Sequence, residues 1–204
     1  MILAAVLAPL VMQAAPLLTL SPPAGNIQGG RGTVVGWGFT IWNSEPNYLV
    51  VTSAEFCQTV VVAGFTVCDQ FPSATLGTFT DYIAQFDFIV AGPTPESPVV
   101  SQAFDRALQT GVGSFAFAPG APYGTFTGQI LLTYDLYSRS PNDPSFDAAT
   151  DFLPPSPNGN TLTAGASVSS VPEPSTILLV AAGAAALAGR RRSTALLRVG
   201  RDQV

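Results

Sequence analysis

The chain has 204 residues, enough for one ordinary domain with terminal appendages; 47% are hydrophobic and only 10% charged, far below the roughly 25% of an average soluble protein. All 8 basic residues are Arg, and Arg190, Arg191, Arg192, Arg198 and Arg201 crowd the C-terminus, so Arg31, Arg106 and Arg139 face eleven acidic residues between Ser21 and Ser170, a net charge of about −8. A body this acidic repels a phosphate backbone, which excludes nucleic acid as a partner, and with 0 His the chain has no Ser/His/Asp or Cys/His nucleophile and no His-ligated zinc.

In chain order, residues 1–20 contain no charged side chain. They resemble the apolar region of a secretory signal peptide, with Ala14 and Ala15 as small residues for cleavage; the missing basic n-region points to a start codon upstream of Met1. The alternative for this segment is an N-terminal core strand.

From Ser21 onward, apolar and β-branched runs alternate with turn residues. The clearest are Thr33–Asn43, Tyr48–Phe56, Thr59–Val67, Asp81–Gly92, Val112–Ala118 and Gly128–Ser138, with weaker ones at Val99–Phe104 and Thr161–Val168. In the fourth run Tyr82, Ala84, Phe86, Phe88 and Val90 share one parity, with Asp81, Gln85 and Asp87 on the other. Period two with a polar face predicts half-buried antiparallel strands. The expected fold is all-β, an Ig-like antiparallel sandwich of about seven or eight strands over residues 21–163; a closed barrel is the alternative. Trp37 and Trp42 have opposite parity, so at least one faces the core. No described function class needs a cofactor, and none is expected.

Cys57 and Cys68 are the only cysteines, with ten residues between them that can fold back around Ala63 and Gly64. In an exported protein an even pair predicts a disulfide. Residues 91–98 and 138–160 are Pro-rich loops. In the second, Asp143, Asp147 and Asp151 beside Asn142 offer hard oxygen ligands and form a weak calcium candidate, although Asp in such loops commonly makes turns. No pair of acids carries a glycosidase motif. The Thr-x-Thr pairs lack a repeat and are expected on exposed strand faces. The small residues of 164–171 predict a linker.

The chain then runs "VPEPS" (Val171 to Ser175), an uncharged stretch from Thr176 to Gly189, and "RRR" (Arg190 to Arg192). At 1.5 Å per residue that stretch spans about 21 Å as a helix, short for a hydrocarbon core of roughly 30 Å, so it predicts one C-terminal transmembrane helix whose flanks adapt. Arg190, Arg191 and Arg192 would act as stop-transfer charges that keep their end in the cytoplasm. The order of the three parts over 172–192 resembles the tail of PEP-CTERM proteins of Gram-negative bacteria. That resemblance implies sorting by exosortase, an inner-membrane cysteine transpeptidase, with Pro172, Glu173 and Pro174 as the recognised motif. It implies export, anchoring in the inner membrane, and later release to the envelope or exterior, with exopolysaccharide or other envelope components as companions. Residues 193–204 would be a cytoplasmic extension. The body is expected to be a non-enzymatic structural or interaction module; the alternative is a carboxylate-based glycosidase acting on exopolysaccharide, which would need two converging carboxylates and exposed aromatics in a cleft.

Overall fold

The computed structural model describes residues 15–83, 89–93, 96–155 and 159–172. Within them lie twelve strands: β1 Leu17–Ser21, β2 Asn26–Gly29, β3 Val34–Trp42, β4 Tyr48–Val62, β5 Phe65–Gln70, β6 Gly77–Asp81, β7 Ile89–Ala91, β8 Val99–Gln102, β9 Gly113–Phe117, β10 Gly124–Tyr137, β11 Phe152–Leu153 and β12 Thr161–Ser170. Two sheets result. One has the order β1-β3-β9-β6, with β8 also on β3; the other has the order β2-β12-β10-β4-β5, with β11 on β10 and β7 on β4. The described residues are mostly β-strand in two sheets, with few helical residues and more strands than the seven or eight expected.

The alternation seen in the sequence aims one face of each strand inward. Trp37, Phe39 and Ile41 on β3, Phe115 and Phe117 on β9, Ile130, Leu132 and Tyr134 on β10, and Leu162, Ala166 and Val168 on β12 form one buried cluster shared by both sheets. On β4 the inward residues switch parity, from Leu49 and Val51 to Ala54 and Phe56. A register shift causes this: Thr133 of β10 pairs with Ser53 but Tyr134 pairs with Val51, so Thr52 is the extra residue of a bulge. Phe56 lies at the centre, with its ring 5.0 Å from Trp37 and edge-on to Phe115 and Phe126 at 6.1 and 5.5 Å. The Trp37 indole N–H donates to Gly25 O at 2.7 Å, which satisfies its one polar atom.

Several expectations are corrected. The expected single strand Asp81–Gly92 is two strands in different sheets, because β6 stops where the Asp81 carboxylate accepts the Ile83 and Ala54 amides and turns the chain out of its ladder. Of that run, Ala84 to Phe88 lie outside the described residues. Tyr48–Phe56 and the first half of Thr59–Val67 are one unbroken strand, and the hairpin falls at Ala63 and Gly64, both at positive φ (51° and 87°). Residues 17–20, expected in the leader, are β1: they pair antiparallel with β3, and Leu18 is buried. Residues 164–170, expected as linker, are most of β12, which pairs antiparallel with β10 and parallel with β2. That one parallel pair departs from the expected all-antiparallel sheets. β12 also packs closely on the turn before β2, where a Cβ added to Gly25 would meet the Gly165 carbonyl oxygen. No described helix is long and apolar enough to cross a membrane, and the expected transmembrane segment and cytoplasmic extension lie outside the described residues.

Candidate functional site

The sorting-motif candidates begin where the sandwich ends. Ser170 is the last residue of β12 and is buried; Val171 N–H still donates to Gly29 O at 3.0 Å; Pro172 is exposed. No spacer separates body and motif. Glu173, Pro174, Arg190, Arg191 and Arg192 lie outside the described residues.

Cys57 and Cys68 are joined as a disulfide with Cα atoms 5.6 Å apart. Cys57 is the last β4 residue paired with β10; from Gln58 on, β4 pairs with β5 instead. The bond therefore clamps the base of a two-stranded hairpin. Val60 pairs with Val67 and Val62 with Phe65, so these four side chains share one face of the hairpin, and all remain exposed together with Val61.

Beside the clamp, Ala54, Glu55 and Phe56 of β4 and Gly77 to Asp81 of β6 border an open cleft of about 460 Å³, walled by Phe71 and Pro72. Among the described residues, β6 is the outer strand of its sheet, and no strand pairs with β4 on that side between its β7 and β5 partners. Sequence reasoning missed this cleft, since its two carboxylates, Glu55 and Asp81, stand on strands of different sheets. Phe71, directly followed by Pro72 after the disulfide, was the available signal. Asp81 is committed to structure: one oxygen accepts Ala54 N–H at 2.9 Å and the other Ile83 N–H at 2.8 Å.

The acidic loop uses its carboxylates on its own backbone. Asp143 accepts Ser145 N–H at 2.8 Å, Asp147 caps the one-turn helix Ala148–Asp151 through Ala149 N–H at 2.9 Å, and Asp151 accepts Asp147 N–H at 3.0 Å and the Ser138 hydroxyl at 3.0 Å. The backbone hydrogen bond from Ser145 holds the Asp143 carboxyl below its ordinary range, and the bond from Asp147 N–H does the same for Asp151, with Arg139 3.9 Å away. Burial pushes the Tyr134 hydroxyl up, with Glu45 adding to it. Among the described residues no cluster of three or more potential metal ligands occurs, and the loop reads as turns.

Trp37 is fully buried and Trp42 is 51% exposed, as their opposite parity requires. Arg31, the only charged residue among the first 44, has its Nε–H on Ala121 O at 2.8 Å and its guanidinium 4.3 Å from the Tyr123 ring centre. This pair also escaped the sequence, where 91 residues separate its members.

Residues 170–192 match the PEP-CTERM protein-sorting motif. No curated protein matches the chain. Among solved structures, PapD-like domain 7 (an ASH / PapD-like domain) of human CEP192 is 8% identical with a TM-score of 0.33, over 85% of this chain and 98% of that one. A chain of the CaDoc0917–CaCohA2 complex is 17% identical with a TM-score of 0.27, over 76% of this chain and 99% of that one.

Proposed function

We propose that this is an exported protein of the cell envelope or extracellular matrix, held in the inner membrane by its tail, then processed by exosortase at Pro172-Glu173-Pro174 and released. Its β-sandwich body is a structural or interaction module, not an enzyme. The observation that carries the reading is the sorting-motif match over 170–192, which starts on the last residue of the last strand. The tail therefore follows a finished domain directly, as an address appended to a cargo. A disulfide between the only two cysteines supports an oxidising destination.

The body reads as an Ig-like sandwich, supported by successive strands that cross between sheets, as at β3 to β4, β5 to β6 and β9 to β10. A non-enzymatic role is supported by the cleft: Asp81 accepts two backbone amides, and among the described residues the cleft offers Glu55 no other carboxylate as an acid–base partner. Exopolysaccharide or another envelope polymer is the proposed companion of the released body.

In a host with exosortase, mature mass and cell fraction test the sorting step. Glu173→Ala removes the one charge between Asp151 and Arg190, so full-length protein is expected to accumulate in the inner membrane. Neutralising Arg190, Arg191 and Arg192 removes charges that each cost about 2.5–3.5 kcal/mol at the bilayer centre, so that variant is expected to escape retention. A wild-type protein that keeps its C-terminus, with neither variant altered in mass or location, overturns the reading.

A further inference from the structure

The chain leaves the sandwich at one pole, and that pole has its own chemistry. Ser170 stands opposite Gly124 of β10 on one side and Gly29 of β2 on the other. Beside it lies the turn at 30–33, closed by Thr33 N–H to Gly30 O at 3.2 Å, and Phe117 N–H on Thr33 O at 2.9 Å ties this turn to the end of β9. Arg31 and Tyr123 pin the two loops together through the hydrogen bond and ring contact described above. Both are exposed, Tyr123 at 53%. Residues 26–33, 117–128 and 167–172, which build the pole, hold a single charge, Arg31, in a body whose net charge is about −8.

The tether is short. Only Pro172 to Ser175 separate Val171, which is bonded to the sheet, from the uncharged run that starts at Thr176. Fully extended at about 3.3–3.6 Å each, four residues reach at most about 14 Å. A headgroup layer is roughly 5–8 Å deep, so a tail inserted in the bilayer keeps this pole at the lipid surface.

We propose that the pole is a lipid-facing foot, in which Tyr123 and Arg31 seat on phospholipid headgroups while the tail is inserted. This rests on the tail being a membrane anchor. Tyr is suited to the boundary between apolar and wet, and a guanidinium already held against the ring offers its remaining N–H groups to a lipid phosphate. The acidic remainder is repelled by anionic lipid, which turns the pole, whose one charge is the cation Arg31, toward the lipid and presents Pro172 to Pro174 at the membrane surface.

The test uses the full chain in vesicles of phosphatidylethanolamine and phosphatidylglycerol, with and without lipids brominated near the headgroup. Tyr123→Trp supplies the reporter; Trp37 is buried and Trp42 lies at the far end of β3, so the wild type gives the background. Both altered positions are exposed, and because Arg31 bonds to the carbonyl of buried Ala121, an unchanged Tm of each variant is required before its quenching is compared. Flotation that resists carbonate reports tail insertion independently. The expected result is flotation with bromolipid quenching of the added Trp signal, and, in Tyr123→Trp with Arg31→Gln, a docking equilibrium weakened roughly fivefold, the worth of one basic residue at an anionic surface. Flotation without quenching overturns the foot and leaves the anchor standing. Quenching unchanged by Arg31→Gln overturns the assignment of Arg31 to phosphate. Protection of the introduced indole only when exosortase is co-reconstituted makes the pole a protein contact and overturns the lipid proposal. Absence of flotation overturns the anchor and the foot together.

Discussion

Cutting the Cys57–Cys68 bond should free one hairpin and leave the sandwich folded. The bond closes a loop with a sequence separation of 11, and chain entropy assigns such a loop about 3 kcal/mol. At 2–4 °C per kcal/mol for a domain of this size, that would lower Tm by roughly 6–12 °C if the whole fold depended on it. Little of the core does. Val61 is 72% exposed, Val62 56% and Phe65 46%, and β4 beyond Cys57 has left the β10 ladder. A two-stranded hairpin with so little burial is marginal alone, since ordering each residue costs about 1–2 kcal/mol. Once released it should fray in the folded protein too, so the freedom gained appears in both states and largely cancels from global stability. Cys57→Ala with Cys68→Ala, checked against dithiothreitol-reduced wild type to separate out the cavity at buried Cys57, should lose roughly 100-fold of amide exchange protection at residues 59–69. The Tm should fall by less than about 6 °C. Amides in the hairpin that stay as protected as those of Val51 and Leu132, or a Tm loss of the full entropic size, would refute the reasoning.

Trp37→Phe removes the bond to Gly25 O and opens space beside Phe56; the expected cost is about 3 kcal/mol in denaturant unfolding. Gly25→Ala should destabilise by more than about 1 kcal/mol in the same assay, because Gly25 has a φ of 66° and its Cβ would meet Gly165 O. The lowered carboxyls of Asp143 and Asp151 stabilise the loop at 138–153 above their unfolded pKa of about 3.9, and this is lost as pH falls through the folded values. Aromatic NMR signals of Tyr137 and Phe146, whose rings lie 5.2 Å apart, should therefore shift below about pH 4, and Asp151→Asn should blunt the change.

The local parts of this protein were legible from residue type. Period-two alternation identified strands and required that at least one of Trp37 and Trp42 face inward, the cysteine pair named its own bond, and the order Pro-Glu-Pro, apolar run and triple Arg marked the tail, because each signal resides in neighbouring residues. Partnership across the sheets was not legible. Leu17 to Leu20 look like leader until β3 supplies their hydrogen-bond partners, and Ala164 to Ser170 look like linker until β10 and β2 close on both sides of them. Asp81 turns its own chain through the Ile83 amide, but that its other oxygen takes the Ala54 amide, 27 residues away, is decided by the fold. Arg31 meets Tyr123 only because β2 ends and β10 begins at the same pole. Backbone groups must be paired somewhere, and which distant strand pairs them is decided by packing of the whole chain, not by any short stretch of it.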